Sequence, residues 1–171
     1  MSLSLYEATI PTMIQMLHAA QGWIEKAKES DLDEAAIAQL KLADDMLPFP
    51  FQVKSMVSHS VGAIEGVRKG SFSPDLEPAA TELEQMRLNL GAAENTLRAM
   101  SKGEVDSFIG NPMRFVFEQR KIDLPFTAEN FLLSFSQPNF FFHATTTYAL
   151  LRAAGVPIGK ADYTGRLRIA R

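Results

Sequence analysis

Cysteine is absent from the 171 residues, which excludes disulfides, thiolate metal ligands and cysteine nucleophiles together. The side chains that titrate near neutral pH are three histidines, His18, His59 and His143. His143 stands in QPNFFFHATTTYALL, residues 137–151, the most hydrophobic stretch of the chain. Helical residues three and four apart share a face, which puts His143 in a seam with Ser136, Asn139, Thr146 and Thr147. Around that seam the segment is almost entirely apolar, from Phe131 and Leu132 to Leu150 and Leu151. Such a helix is buried, and its polar seam needs partners inside the protein. An unpaired polar group there would cost on the order of 1–3 kcal/mol. The seam is therefore a structural hydrogen-bond network or the wall of a pocket.

His59 shares its helical strip with Gln52, Ser55, Met56, Gly62, Ala63 and Gly66, beside an apolar face of Val53, Val57, Val61, Ile64 and Val67. Small residues at those spacings admit another helix closely, so the bland reading is a half-buried histidine at a helix crossing. His18 lies with Gln15, Glu25 and Glu29 on the wet side of its helix and reads as a surface residue.

The elements that must position these groups follow from periodicity. The first helix opens with a capping-box spacing at Ser4–Glu7 and continues through Ile10, Met13, Leu17, Ala20, Ile24 and Ala27, with Pro11 starting or kinking it. Met13, Met16, Ala20, Trp23 and Ala27 form a second stripe, readable as core or as a dimer seam. A short helix is expected in DEAAIAQLKLA. A second long helix runs from about Phe49 to Lys69 and closes at Gly70. SFSPDLEP, residues 71–78, is turn chemistry, and a third helix follows a second capping-box spacing at Thr81–Glu84. From Met113 to Phe126 the period changes to two on both sides of a short polar turn, which reads as a β-hairpin. The last helix runs from near Thr127 to near Gly155, kinked at Pro138. The expected fold is all-α: a four-helix bundle with a short β-hairpin before the last long helix, one domain over residues 1–171, with residues 156–171 a C-terminal tail.

With a net charge of −3 and a pI near 5.6, the chain has no basic footprint for nucleic acid. The local exception, Arg166, Arg168 and Arg171 in GRLRIAR, is read as a solvated tail. No apolar run approaches the ~20 residues that cross a bilayer. The N-terminal MSLSLYEATI lacks the basic start of a signal peptide. The expectation is a soluble, cytoplasmic protein.

Three stretches, SLYEATIPT, LADDMLPFPFQVKSMVSHS and above all FLLSFSQPNFFFHATTTYALLRAAGVPIGKADYTG, resemble a bacterial domain-of-unknown-function family of the DinB/YfiT-like superfamily. The resemblance covers nearly the whole chain. It implies a DinB-like four-helix bundle, commonly dimeric, and a divalent metal such as zinc or nickel. That metal is held by one histidine of the second helix and a His-x-x-x-His pair of the last. Imidazoles at i and i+4 can share one ion while a facing helix adds a third, leaving a position open for water or a thiol. His59 matches the first ligand and His143 the second; position 147, where the third belongs, is Thr147. Asn139, the other i+4 neighbour, is also a neutral group and a poor ligand.

Two function classes follow. One is a dimeric, non-catalytic DinB-like bundle with a histidine-bearing pocket lined by Ser55, Asn139, Thr146 and Thr147, a degenerate metal site at His59 and His143, and a small-molecule ligand. The other is a zinc- or nickel-dependent transferase or hydrolase acting on a small-molecule or thiol substrate. A metal-free catalyst would need His59 or His143 as general base. No paired acid, Gly-x-Ser-x-Gly elbow or phosphate-cradling loop is present.

Overall fold

The computed structural model describes residues 3–170. Helix α1 (Leu5–Lys28) starts at Ser4, whose hydroxyl accepts from the Glu7 amide at 3.3 Å while the Glu7 carboxylate accepts from the Ser4 amide at 3.1 Å. These are the reciprocal bonds of the capping box. Pro11 lies inside α1 without ending it. Ile10, Met13, Leu17, Ala20 and Ile24 are fully buried, and so, within a percent or a few, are Met16, Trp23 and Ala27. The Met13–Ala27 stripe is therefore core of the single chain, and its reading as a dimer seam is withdrawn. Each large side chain so buried stabilises the fold by about 1.5–3 kcal/mol.

After the short α2 (Glu34–Ala38), helix α3 spans residues 49–69 in three pieces: α-helical Phe49–Val57, a π-helical turn Ser58–Gly62, and α-helical Ala63–Lys69. The widened turn has a local cause. Ser58 and Ser60 send their hydroxyls back to the carbonyls of Lys54 and Met56, and serines bonding backward in this way loosen a helix. Gly70, in the left-handed conformation (φ 76°), ends α3 and turns the chain into strand β1 (Ser71–Phe72).

Helix α4 (Leu83–Arg98) begins at Glu82, not Thr81, and without a side-chain cap of its own. The Leu83 amide instead donates to the Glu34 carboxylate of α2, so the expected Thr81–Glu84 box is replaced by a cap from a distant helix. Short α5 (Lys102–Asp106) leads to β2 (Pro112–Phe117) and β3 (Ile122–Thr127), which pair antiparallel with Phe115 opposite Leu124. β1 adds to the free edge of β2 in parallel, Phe72 beside Phe115. The sheet thus has three strands where the sequence reading had a two-stranded hairpin. The strand hidden in SFSPDLEP is too short to show a period.

Helix α6 covers residues 128–153, again in three pieces: Ala128–Asn130, a π-helical segment Phe131–Ser136, and Gln137–Ala153. Pro138 sits just after the widened segment. It has no N–H to give Ser134, and its ring would crowd that carbonyl in a regular turn. α1 packs against α4 and α6, and α3 packs against the same two helices.

Residues 156–164, which the sequence reading assigned to a tail, are built into the fold. Val156 and Ile158 are buried, and α7 (Lys160–Thr164) lies against α1. The Trp23 indole donates to the Asp162 carbonyl at 2.8 Å, and the Tyr163 ring stacks on it with centroids 5.5 Å apart. The fold is predominantly helical with one small sheet.

Candidate functional site

The two π-helical segments face each other. Ser136, at the end of one, donates its hydroxyl to the backbone carbonyl of His59 in the other at 2.8 Å. π-turns inside α-helices are frequent at functional sites because they re-aim the side chains they carry. Here they bring His59 of α3 and His143 of α6 together, rings nearly parallel (11°) with centroids 5.8 Å apart.

His143 is held by a relay. The Gln52 side-chain amide donates to the Leu47 carbonyl at 2.7 Å, which turns its own oxygen toward the His143 ring, 2.7 Å from Nδ1. The opposite amide orientation would set two carbonyl oxygens against each other at Leu47. Nδ1 of His143 therefore carries the proton, and Nε2 keeps a lone pair. His59 has no such anchor: among the described residues its buried Nδ1 finds no hydrogen-bond partner, nor does the buried hydroxyl of Thr147.

The walls are aromatic. Phe72 and Phe135 stand 5.5 and 5.8 Å from the His59 ring, and Phe51 and Phe142 stand 6.0 and 5.2 Å from His143. These surroundings resist charge. Burial, with some repulsion from His143, pushes His59 down to about 4, and burial does the same to His143. Both imidazoles are neutral at pH 7.

The structure brings His59 and His143 together and gives Thr147 an unsatisfied hydroxyl. The remaining expected pocket residues sit differently. Thr146 is buried and donates to the Phe142 carbonyl at 2.8 Å; Asn139 donates to Phe135 at 2.7 Å. Both return their hydrogen bonds to their own helix. Ser55 is buried on α3. His18 is exposed, its Nδ1 3.3 Å from a Glu94 carboxylate oxygen. Sequence reasoning missed Gln52 as the group that orients His143, although Gln52 shares the strip of His59. It also expected the small residues of that strip to admit a helix. At Gly66 it is β1 that comes close, since a Cβ there would meet Phe72 Cβ at 2.9 Å.

The spacing of the pair alone would let both imidazoles reach one ion, because two ligands at about 2.1 Å from zinc have ring centres roughly 5–6 Å apart. The donor count does not fit. Among the described residues no three of His, Cys, Asp and Glu gather to hold a metal. Thr147 offers only a neutral hydroxyl, so a three-ligand site is not completed.

A mostly helical fold with a histidine pair between its third and sixth helices is the class these observations define. Among solved structures, a DinB family member protein from Shewanella denitrificans has the same fold, with a TM-score of 0.77 at 22% identity over 98% of this chain and 95% of its own. The family described as Domain of unknown function (DUF1993) matches residues 5–164, and the chain belongs to it. No curated protein matches the sequence. None of the helices among the described residues is long and apolar enough to cross a membrane.

Proposed function

We propose that this protein is a dimeric DinB-like four-helix bundle that binds a small neutral molecule at the His59–His143 pair, where relatives of the fold would hold a metal. The observation that carries the reading is the relay from Leu47 through Gln52 to His143. It presents one defined lone pair at Nε2 of His143, whose ring faces that of His59. Among the described residues His59 Nδ1 and the hydroxyl of Thr147, one turn further along α6, lack partners. A molecule with both hydrogen-bond donors and acceptors would satisfy all three, recovering part of the cost of burying them.

Catalysis is the weaker reading. A general base works best with a pKa near the working pH, and both imidazoles lie near 4. A cationic or anionic ligand is disfavoured by the same phenylalanine walls that keep the histidines neutral. Phe142, 53% exposed with its ring 5.2 Å from that of His143, is our candidate for contact with a second copy.

Native mass spectrometry of untagged protein tests the reading, with metal analysis alongside. A small-molecule adduct that is lost in both His59→Ala and His143→Ala is expected, without stoichiometric metal. Near-stoichiometric zinc or nickel lost in both variants would overturn it in favour of a metal-dependent transferase or hydrolase. Protein free of both would also sink it. Imidazole ¹⁵N shifts give a second check: His143 should hold its proton on Nδ1, and Gln52→Leu should abolish that preference.

A further inference from the structure

Arg166 and Arg168 of GRLRIAR play no part in the histidine site, yet the structure gives them a defined place; Arg171 lies outside the described residues. The chain after α7 folds back over the polar strip of α1. Gly165 crosses at φ 57°, so close that a Cβ would lie 3.0 Å from the Ala19 Cβ. Gln15 donates its side-chain amide to the Thr164 carbonyl at 2.6 Å, and Arg168 donates to the Thr12 hydroxyl at 3.0 Å. Between this returning segment and the helices lies a cavity of about 700 Å³ that neither His59 nor His143 lines. That volume is within the range of small-molecule sites.

Its lining divides into two kinds. His18, Arg98, Arg166 and Arg168 supply cationic or protonatable groups, and Pro11, Ile14, Leu167 and Ile169 supply apolar surface. The charges are not equivalent. Arg98 is bound to Glu94 at 2.6 and 2.8 Å, and the same carboxylate lies 3.3 Å from His18 and accepts from Gln21 at 2.7 Å. Arg166 and Arg168 have no carboxylate within 4 Å among the described residues, in a protein whose net charge is −3. Two guanidiniums without a paired carboxylate among the described residues thus line a cavity with an apolar side.

We infer that this cavity is a binding site for an amphipathic anion, a carboxylate or phosphate monoester carrying a short apolar body. Guanidinium forks recognise either head group in bidentate fashion, while Ile14 and Leu167 receive the body. The site is independent of the one proposed at His59 and His143.

Titration calorimetry with octanoate, octyl phosphate, octanol and acetate tests this on the full chain. Octanoate or octyl phosphate should bind saturably, and whichever binds tighter names the head group. Arg166→Gln/Arg168→Gln should weaken that binding by about tenfold or more, and added salt should weaken it further. Both side chains are exposed, so the double variant should melt at the wild-type temperature. His143→Ala should leave the affinity unchanged. The inference fails if the double variant binds as the wild type does, or if neither octyl anion binds at millimolar concentration. It fails equally if octanol matches octanoate, or if acetate does.

Discussion

Two polar clusters lie between helices of this protein, and they are finished to different degrees. Glu94 of α4 is the hub of one: its carboxylate accepts from Arg98 and Gln21 and faces His18. Burial works against its ionisation, but these partners outweigh that and lower its pKa. Nothing in the carboxylate is left over for a ligand, so the cluster fastens α1 to α4. The His59–His143 cluster is unfinished. Gln52 satisfies one nitrogen, and a second nitrogen and a hydroxyl have no partner among the described residues. A fold that spends its burial on unpaired groups holds a cost of order 1–3 kcal/mol for each. Completeness marks the structural cluster, and incompleteness marks the candidate site.

The largest test of that contrast is acid. The unfolded histidines titrate near 6.5 and the folded ones near 4, so between those values the unfolded state binds more protons. The contribution of the pair is then fully present above pH 6.5 and is lost as pH falls toward 4. Two groups, discounted for partial exposure, give a loss on the order of 3 kcal/mol. Urea unfolding at pH 7 and pH 4 should show that loss, and His59→Leu/His143→Leu should remove most of the difference in stability between the two pH values.

Breaking the finished cluster should come next. Glu94→Ala strips the acceptor from Arg98 and Gln21 and should lower stability by about 2 kcal/mol, read as an earlier urea midpoint at an unchanged slope. The smallest effect should have the opposite sign. Thr147→Val replaces an unpartnered buried hydroxyl with a methyl of similar shape, so it should raise stability by about 1 kcal/mol. A Thr147→Val protein less stable than wild type would mean that the hydroxyl already has a partner, and the contrast between the clusters would narrow.

Much of the helical frame was legible because its signals are local. Ser4 and Glu7 are three residues apart, and the apolar positions from Ile10 to Ile24 repeat within one helix. Gly70 ends α3 by its own backbone freedom. His59 and His143 could also be nominated as a pair, since each occupies a strip at odds with the apolar residues around it and the family resemblance joins them. What escaped was non-local or periodless. β1 has two residues and exists only because β2 offers an edge. The cap of α4 comes from Glu34, 49 positions from the amide it accepts. The Met13–Ala27 stripe could not be assigned to core or seam until its neighbours were known.

The sequence by itself determined where the long helices run, which of their faces are apolar, and that a lone histidine stands among phenylalanines, because propensity, capping and periodicity act over a few residues. The tertiary structure decided what those residues meet. Gln52 reaches His143 across 91 positions, two π-turns register His59 against Ser136, and the end of the chain returns over α1 to place Arg166 and Arg168. Each of those contacts joins groups far apart in the chain, and only the packing of the helices sets the distance between them.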